Sequence, residues 1–428
     1  MDARHDEHYL RDVTSLGDSR QMVAHAPIYT QNHIKLVDIG TRITSALFEK
    51  LVRHKLLPTI DECIAVENEV TVDVLVAETK RLIEARPFLS FLANDVKGAD
   101  ELLGPLRNVV LEPPLALKLT VMQERRAELF RHSLEMAIVA LYLGRASSLL
   151  DTTNLRFLAA AALFHDIGEL HIDPAILDPA HEVSDEERRH IYAHPLTAYL
   201  ILNEYPVYSP KIRTAVLEHH EREDGSGYPR GARGHEISFL GRILVLAEVV
   251  ASQVRKLPAS GDLSRIGMAL KLSKHKYDSA LVLLMSKVFR EVGHTCPNDS
   301  EGVSFLARIE RIGSLIGSWQ ASYELLAESG KTKTLANYVN SRVTDLDRAL
   351  SSAGCHPDQL SLAYRSAKDD ADGLAEMAAL VDEGIWQFRD IVHETRRRWD
   401  KLKDGEAERQ VVRGWLDSCD SVLDVHVT

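Results

Sequence analysis

A chain of 428 residues has room for two or three domains, and its 45% hydrophobic and 27% charged content are those of a globular protein. A formal charge of −12 argues against broad binding to a nucleic-acid polymer, whose affinity comes from basic side chains meeting phosphates. A small anionic ligand stays open, because bound divalent cations would reverse the local sign. Cys63, Cys296, Cys355 and Cys419 are scattered without a Cys-x-x-Cys pair, which predicts reduced thiols in a cytoplasmic protein. The opening MDARHDEHYLRD lacks the apolar core of a signal peptide, and no run of about 18 apolar residues predicts a membrane span.

In chain order, residues 1–25 read as polar and loose. Ile34, Leu36, Val37 and Ile39 predict a strand, Gly40 a turn, and Thr44 the N-cap of a helix through Leu56. A second helix is expected from Thr71 to Glu84. Pro105, Pro113 and Pro114 punctuate the passage to the next region. From about Leu115 to Glu328 apolar residues recur at three- and four-residue spacing. AELFRHSLEMAIVALYLG (127–144) reads as an amphipathic helix, and LRFLAAAALFHDIGEL (155–170) is apolar almost all round, the mark of a helix in the middle of a core. In the last hundred residues Leu374, Val381, Phe388 and Thr395 recur every seven, interleaved with Ala378, Ile385, Val392 and Trp399. That heptad seam suits internal packing in an antiparallel bundle or a coiled-coil homodimer.

The expected fold is therefore mainly α: a helical bundle core over 113–328, a small N-terminal α+β module over 1–112, and an added C-terminal helical unit over 329–428.

The residues that carry chemistry cluster in the middle. Many of the 19 histidines fall between His132 and His235. His165 and Asp166 end a buried helix, where polar groups need partners. His219 and His220 are adjacent and point about 100° apart if helical, so they can serve different ions. Glu128 and His132 lie four apart and face the same way, and His194 stands in YAHPL. Histidines mixed with carboxylates are the donor set of iron or manganese centres. In DGSGYP, Asp224 is read as an Asx-turn cap, Gly225 and Gly227 as suppliers of unusual backbone angles, and Tyr228 and Pro229 as a rigid lip.

HDIGELHIDPAIL, then His194-Pro195, then HHEREDGSGYPRGARGHEIS closely resemble the HD-GYP family, a branch of the HD phosphohydrolases, over about residues 120–290. The resemblance implies an all-helical domain that hydrolyses cyclic di-GMP to pGpG, and often on to GMP, at two or three metal ions. Carried onto this chain it implies the ligands His132, His165, Asp166, His194, His219 and His220, with Glu128 as the additional glutamate of trinuclear members. Glu248, in VLAEVV, stands where the family has an aspartate. Asp166 would bridge two cations in metal-assisted hydrolysis. The GYP lip is linked in the family to ligand access and to contacts with signalling partners.

The chain departs from the pattern in three places. Glu169 replaces the lysine of HD-x-G-K, a charge reversal beside the substrate phosphate. Glu248 reaches one methylene further than aspartate. In VRKLPASG, Pro258 is kept between Leu257 and Ala259 where the family has Arg-Pro-Tyr, leaving Arg255 or Lys256 as stand-ins. The cage is retained while the substrate grip is eroded. The resemblance thus implies a phosphodiesterase acting on a cyclic dinucleotide, with Asp166 and Glu169 at its reaction centre. Its rival is an impaired module that binds cyclic di-GMP or protein partners.

Overall fold

The computed structural model describes residues 7–423 except 179–180, 182, 257–262, 293–301, 329–333, 353–355, 357–358, 360–370 and 399–405. The chain divides into two compact units, one of residues 1–261 with 276–284, the other of 262–275 with 285–428. Among the described residues helices dominate both, as the periodicity predicts, and the strands are short and lie within residues 22–66.

The first unit opens with α1 (Glu7–Ser19), in a stretch expected to be loose. Tyr9, Leu10, Val13 and Leu16 are buried along one of its faces. That spacing is helical, but four apolar residues among charges are a weak signal without the surface they cover. Strands β1 (Met22–Ala24), β2 (Ile28–Thr30), β3 (Lys35–Val37), β4 (Leu56–Leu57) and β5 (Ile64–Val66) follow. β1 pairs with β5, and β3-β2-β4 form a second sheet, antiparallel throughout. The strand expected at Ile34–Ile39 is present at its centre, and Gly40 turns with φ +80°. The helix expected from Thr44 to Leu56 is shorter: a 3-10 turn at Ser45–Leu47 leads into α2 (Phe48–Leu51). Leu56 and Leu57 pair with Thr30 and Tyr29 instead, and Pro58 disfavours a helical residue before it.

Beyond them, α3 (Val72–Ala85) starts where Thr71 accepts a hydrogen bond from Val74 N, as its sequence predicts. Next come α4 (Pro87–Asp95), α5 (Ala99–Leu103) and α6 (Pro113–Arg125). Pro113 opens α6 because its missing N–H is one that a helix start leaves unpaired anyway.

The centre is built from α7 (Ala127–Ala146), α8 (Thr152–Phe164), α9 (Asp185–Asn203), α10 (Pro210–Glu218) and α11 (Phe239–Lys256). α7 is buried without a break from His132 to Gly144. A Cβ at Gly144 would stand 2.8 Å from a Leu158 methyl, so the glycine lets α7 and α8 approach closely.

Residues of the N-terminal stretch pack into this same unit through a buried polar knot. Lys118 Nζ on α6 donates to Asp61 Oδ2 at 2.6 Å, with the two side chains 5% and 8% exposed. The Tyr9 hydroxyl also donates to Asp61, and the Lys118 ammonium sits 3.8 Å above the Tyr9 ring.

Chain order continues with α12 (Ser264–Leu272), α13 (Ser279–Val292), α14 (Gly302–Glu328), α15 (Thr334–Ser352), α16 (Ala371–Arg398) and α17 (Glu406–Leu423), of which α12 and α14–α17 lie in the second unit. Of the heptad seam, Val381, Phe388, Val392 and Thr395 are buried, the first three in a core with Trp319 and Trp415. Ala378 and Ile385 pack against that core half-buried. The Leu374 side chain and Trp399 lie outside the described residues, as do Leu257, Pro258, Ala259, Cys296 and Cys355.

Lys118→Met leaves the Asp61 carboxylate buried without its cation, a loss worth roughly 3–5 kcal/mol. Urea denaturation should show that drop in the single variant, and Asp61→Asn combined with Lys118→Met should recover most of it.

Candidate metal centre

Each expected histidine comes from a helix of the central core. His132 lies on α7, His165 caps the C-terminus of α8, His194 lies on α9, His219 caps α10, and His220 follows it. Asp166 has left the helix (φ −105°, ψ 10°) and begins a 3-10 turn at Ile167–His171. Glu248 comes from α11. Gly168 allows this convergence. A Cβ there would lie 2.2 Å from the His194 carbonyl oxygen, so only glycine lets α9 pass close enough to bring His194 to Asp166.

The side chains form two donor groups that share a wall. Asp166, His194, His219 and His220 make one, and His132, His165 and Glu248 the other, with the ligand atoms of each within 4.8 Å of one another. Asp166 faces both. Its Oδ1 lies 3.2 Å from His194 Nε2 and 3.3 Å from His219 Nε2, while its Oδ2 lies 3.0 Å from His165 Nε2 and 3.8 Å from His132 Nε2. Glu248 Oε2 stands 2.7 Å from His132 Nε2 and 3.4 Å from His165 Nε2, and its Oε1 accepts from Ser252 Oγ at 2.9 Å.

Three of the histidines are oriented the same way. His165 Nδ1 meets the Ala162 carbonyl at 2.8 Å, His194 Nδ1 the Ile191 carbonyl at 2.6 Å, and His219 Nδ1 the Val216 carbonyl at 2.6 Å. A carbonyl can only accept, so each Nδ1 carries the proton and each Nε2 turns a lone pair into the cage. His194 Nε2 and His219 Nε2 then face each other at 3.1 Å, a contact that calls for a positive charge between them.

The electrostatics agree. Burial opposes charge throughout, yet His165 holds Asp166 well below the usual carboxylate range, and His132 does the same for Glu248. Against that same burial, Glu248 raises His132, and Asp166 raises His165 and His194. Burial wins at His219, pushed down to about 4, and at His220, where the neighbouring His219 adds to it. A field that gathers protons on three buried histidines is one that divalent cations would satisfy. His165 Nε2 and Asp166 Oδ1 are buried and make no hydrogen bond. These unpaired, inward-facing donor atoms fit metal ions.

The remaining expected residues sort differently. Glu128 is not brought into either group; its side chain is 72% exposed and paired with Arg131. A four-residue spacing puts Glu128 and His132 on one side of α7, but Glu128 sits in the first turn, beyond the end of the cage. Arg255 reaches the Glu128 carbonyl at 3.5 Å. Glu169 faces the cage, and burial followed by the charge of Asp166 pushes its carboxyl up to about 7. Asp224 Oδ1 accepts from Ser226 N at 2.9 Å and Ser226 Oγ at 2.6 Å, the expected Asx-turn. Gly225 has φ +81°, whereas Gly227 is needed for space: a Cβ would lie 2.4 Å from Arg222 N and Glu221 Cα. The Tyr228 ring stacks between Tyr192 at 4.1 Å and His220 at 4.7 Å, with exposed Pro229 beside it.

Two supporting glutamates went unread in the sequence. Fully buried Glu221 accepts from Arg230 N and Ala232 N, both at 2.8 Å, and so ties the GYP loop to the His219–His220 pair. Glu218 accepts from Arg230 Nη2 at 2.5 Å and Ser238 N at 2.9 Å. Only their position beside two histidines hinted at either. Tyr192, two residues before His194, gave no signal at all.

His132→Ala and His219→Ala should each lower the metal content of protein loaded with Mn²⁺ under anaerobic conditions, while Glu128→Ala should leave it unchanged. Elemental analysis of the folded variants checks this, and metal loss in Glu128→Ala would return that residue to the ligand set.

The description "HD domain" belongs to the family model that matches residues 109–281. The chain is 36% identical over 118 residues to a 3'3'-cGAMP-specific phosphodiesterase of Vibrio cholerae, covering 28% of this chain and 25% of that protein. It is 30% identical over 158 residues to a cyclic di-GMP phosphodiesterase of Pseudomonas aeruginosa, covering 37% and 38%. A cyclic di-GMP phosphodiesterase of Thermotoga maritima is 36% identical over 109 residues, covering 25% and 28%. The chain thus spans a quarter to two fifths of the length of these relatives. Among the described residues no helix is long and apolar enough to cross a membrane. Over residues 109–281, which carry the paired histidine–aspartate cage and the GYP loop, the chain is similar to the HD domain family.

Proposed function

We propose that the domain hydrolyses the phosphodiester bonds of cyclic di-GMP, giving pGpG and then GMP, with two bound iron or manganese ions. The observation that carries this reading is the placement of Asp166, whose two oxygens serve two separate donor groups. Histidine-rich donor sets completed by one or two carboxylates suit iron or manganese better than magnesium. Two such cations supply the positive charge that phosphodiester hydrolysis requires. Asp166, His194, His219 and His220 would hold one, and His132, His165 and Glu248 the other, with Asp166 shared.

The protein's own groups supply the rest. The Nδ1–H anchors of His165, His194 and His219 keep their Nε2 atoms aimed without reorganisation. The Tyr192–Tyr228–His220 stack walls one side of the cage and keeps the loop against it. Similarity to phosphodiesterases of two cyclic dinucleotides supports this substrate class.

A second reading, an impaired module that binds the dinucleotide or a protein partner, is favoured by one observation. Glu169 places a second carboxyl near Asp166, where burial and that like charge raise its pKa to about 7. Such a group repels a phosphate whenever it ionises.

Anaerobic turnover of cyclic di-GMP by Fe²⁺- or Mn²⁺-loaded protein, with metal content measured on the same samples, separates the two. Hydrolysis to pGpG or GMP, abolished by Asp166→Ala in folded protein, is expected; no product from fully metallated protein would overturn the assignment. If Glu169 limits the rate, Glu169→Lys raises turnover several-fold, and an unchanged or lower rate would remove that role.

A further inference from the structure

Glu248 is the carboxylate of the donor group that also holds His132 and His165. Its Oε2 points into the cage, 2.7 Å from His132 Nε2 and 3.4 Å from His165 Nε2. Both nitrogens are donor atoms of that same group, so a cation seated among the three would take up these contacts. They could then no longer orient the carboxylate. A glutamate stem is long and freely rotating, and holding it in one conformation carries a large entropic cost. His165, His194 and His219 meet the same need through Nδ1–H bonds to backbone carbonyls. Glu248 requires an outer partner of its own.

That partner stands one turn further along α11. The Ser252 hydroxyl donates to Glu248 Oε1 at 2.9 Å. Residues four apart on a helix are neighbours, so the two side chains meet without help from another element. A serine inside a helix can instead return its hydroxyl to the carbonyl four residues back, which bends the helix. Ser252 directs it to the side chain of that residue. A hydroxyl that donates to an ionised carboxylate makes a stronger bond than one that donates to a neutral acceptor. The Glu248 side chain is 13% exposed, which shields that bond from competing water. Ser252 belongs to neither donor group, and its contact leaves Oε2 alone facing the cage.

We propose that Ser252 is a positioning residue of the metal centre: its hydroxyl engages Glu248 Oε1, limits the carboxylate to one inward oxygen, and keeps Oε2 on the His132–His165 side. The inference rests on the two-cation reading above and names the group that orients one of its ligands. Ser252 touches neither substrate nor cation in this role and acts through Glu248. A purely structural alternative has Ser252 doing no more than filling a half-buried position on α11. Stability separates the two roles. Alanine is the better helix former, so removing a hydroxyl that serves only the metal centre does not weaken the metal-free fold.

Calorimetric titration of the metal-free full-length protein with Mn²⁺, without substrate, tests the assignment. Ser252→Ala should weaken one class of site by about 10–100-fold and spare the other, since loss of such an outer partner typically has that effect. His132→Ala should weaken the same class, and the melting temperature of metal-free Ser252→Ala should not fall. Ser252→Thr, which keeps the hydroxyl, should retain most of the affinity. Wild-type affinity in Ser252→Ala, with His132→Ala weakened, would overturn the role of Ser252 and leave the metal centre standing. An equal loss in Ser252→Thr and Ser252→Ala would overturn it too, because the hydroxyl would not be the group that acts. Weakening of both classes alike, together with a lower melting temperature of the metal-free protein, would assign Ser252 to structure alone. Wild-type protein that takes up no Mn²⁺ would overturn the metal centre and the inference with it.

Discussion

The carboxylate of Asp166 sits at the point where α7, α8, α9, α10 and α11 converge, and the geometry of the site follows from it. It is 5% exposed and has histidine Nε2 atoms on both of its oxygens. A lone carboxylate in that interior would be costly, and histidines gathered there without it would repel one another once charged. Each makes the other tolerable. The apolar helices raise the stakes by excluding water, which strengthens every interaction inside the cage.

Backbone chemistry sets how accurately the cage is aimed. His165, His194 and His219 each spend Nδ1 on the carbonyl three residues earlier in or at the end of their own helix. No partner from another element is required, so the orientation survives small shifts between helices. The GYP loop is held by a different device. Buried Glu221 takes two backbone N–H groups from the far side of the loop, and Tyr228 N donates to the His220 carbonyl at 3.1 Å. The loop is thereby tied to His220 and Glu221, and the ring of Tyr228 stacks on that histidine.

The remainder of the first unit steadies this arrangement. The Asp61–Lys118–Tyr9 knot joins the N-terminal residues to α6, which runs into α7 and His132. Residues 7–112 share one compact unit with the helices that carry the cage through contacts of this kind. In the second unit the heptad residues Val381, Phe388 and Val392 are consumed by the unit's own core.

The sequence by itself determined the helical class, the long buried α7 and α8, and six candidate donors that lie within two groups once folded. Those are matters of local period and of residue types that have few other uses in such density. Glu248 was reached through the family resemblance, which places a carboxylate at that point of VLAEVV. Tertiary structure decided what local pattern cannot encode. It left Glu128 outside both donor groups, since spacing puts that residue on the right face of α7 but says nothing of where the cage ends. It ended the expected helix early and gave Leu56 to a strand, because pairing with β2 outweighed a weak helical preference. It made α1 a helix by giving four scattered apolar residues a surface to cover. It also assigned Glu221 and Tyr192 their surroundings. The meaning of a single buried carboxylate or ring depends on which atoms from distant segments reach it, and only the folded chain brings those atoms within a few ångströms.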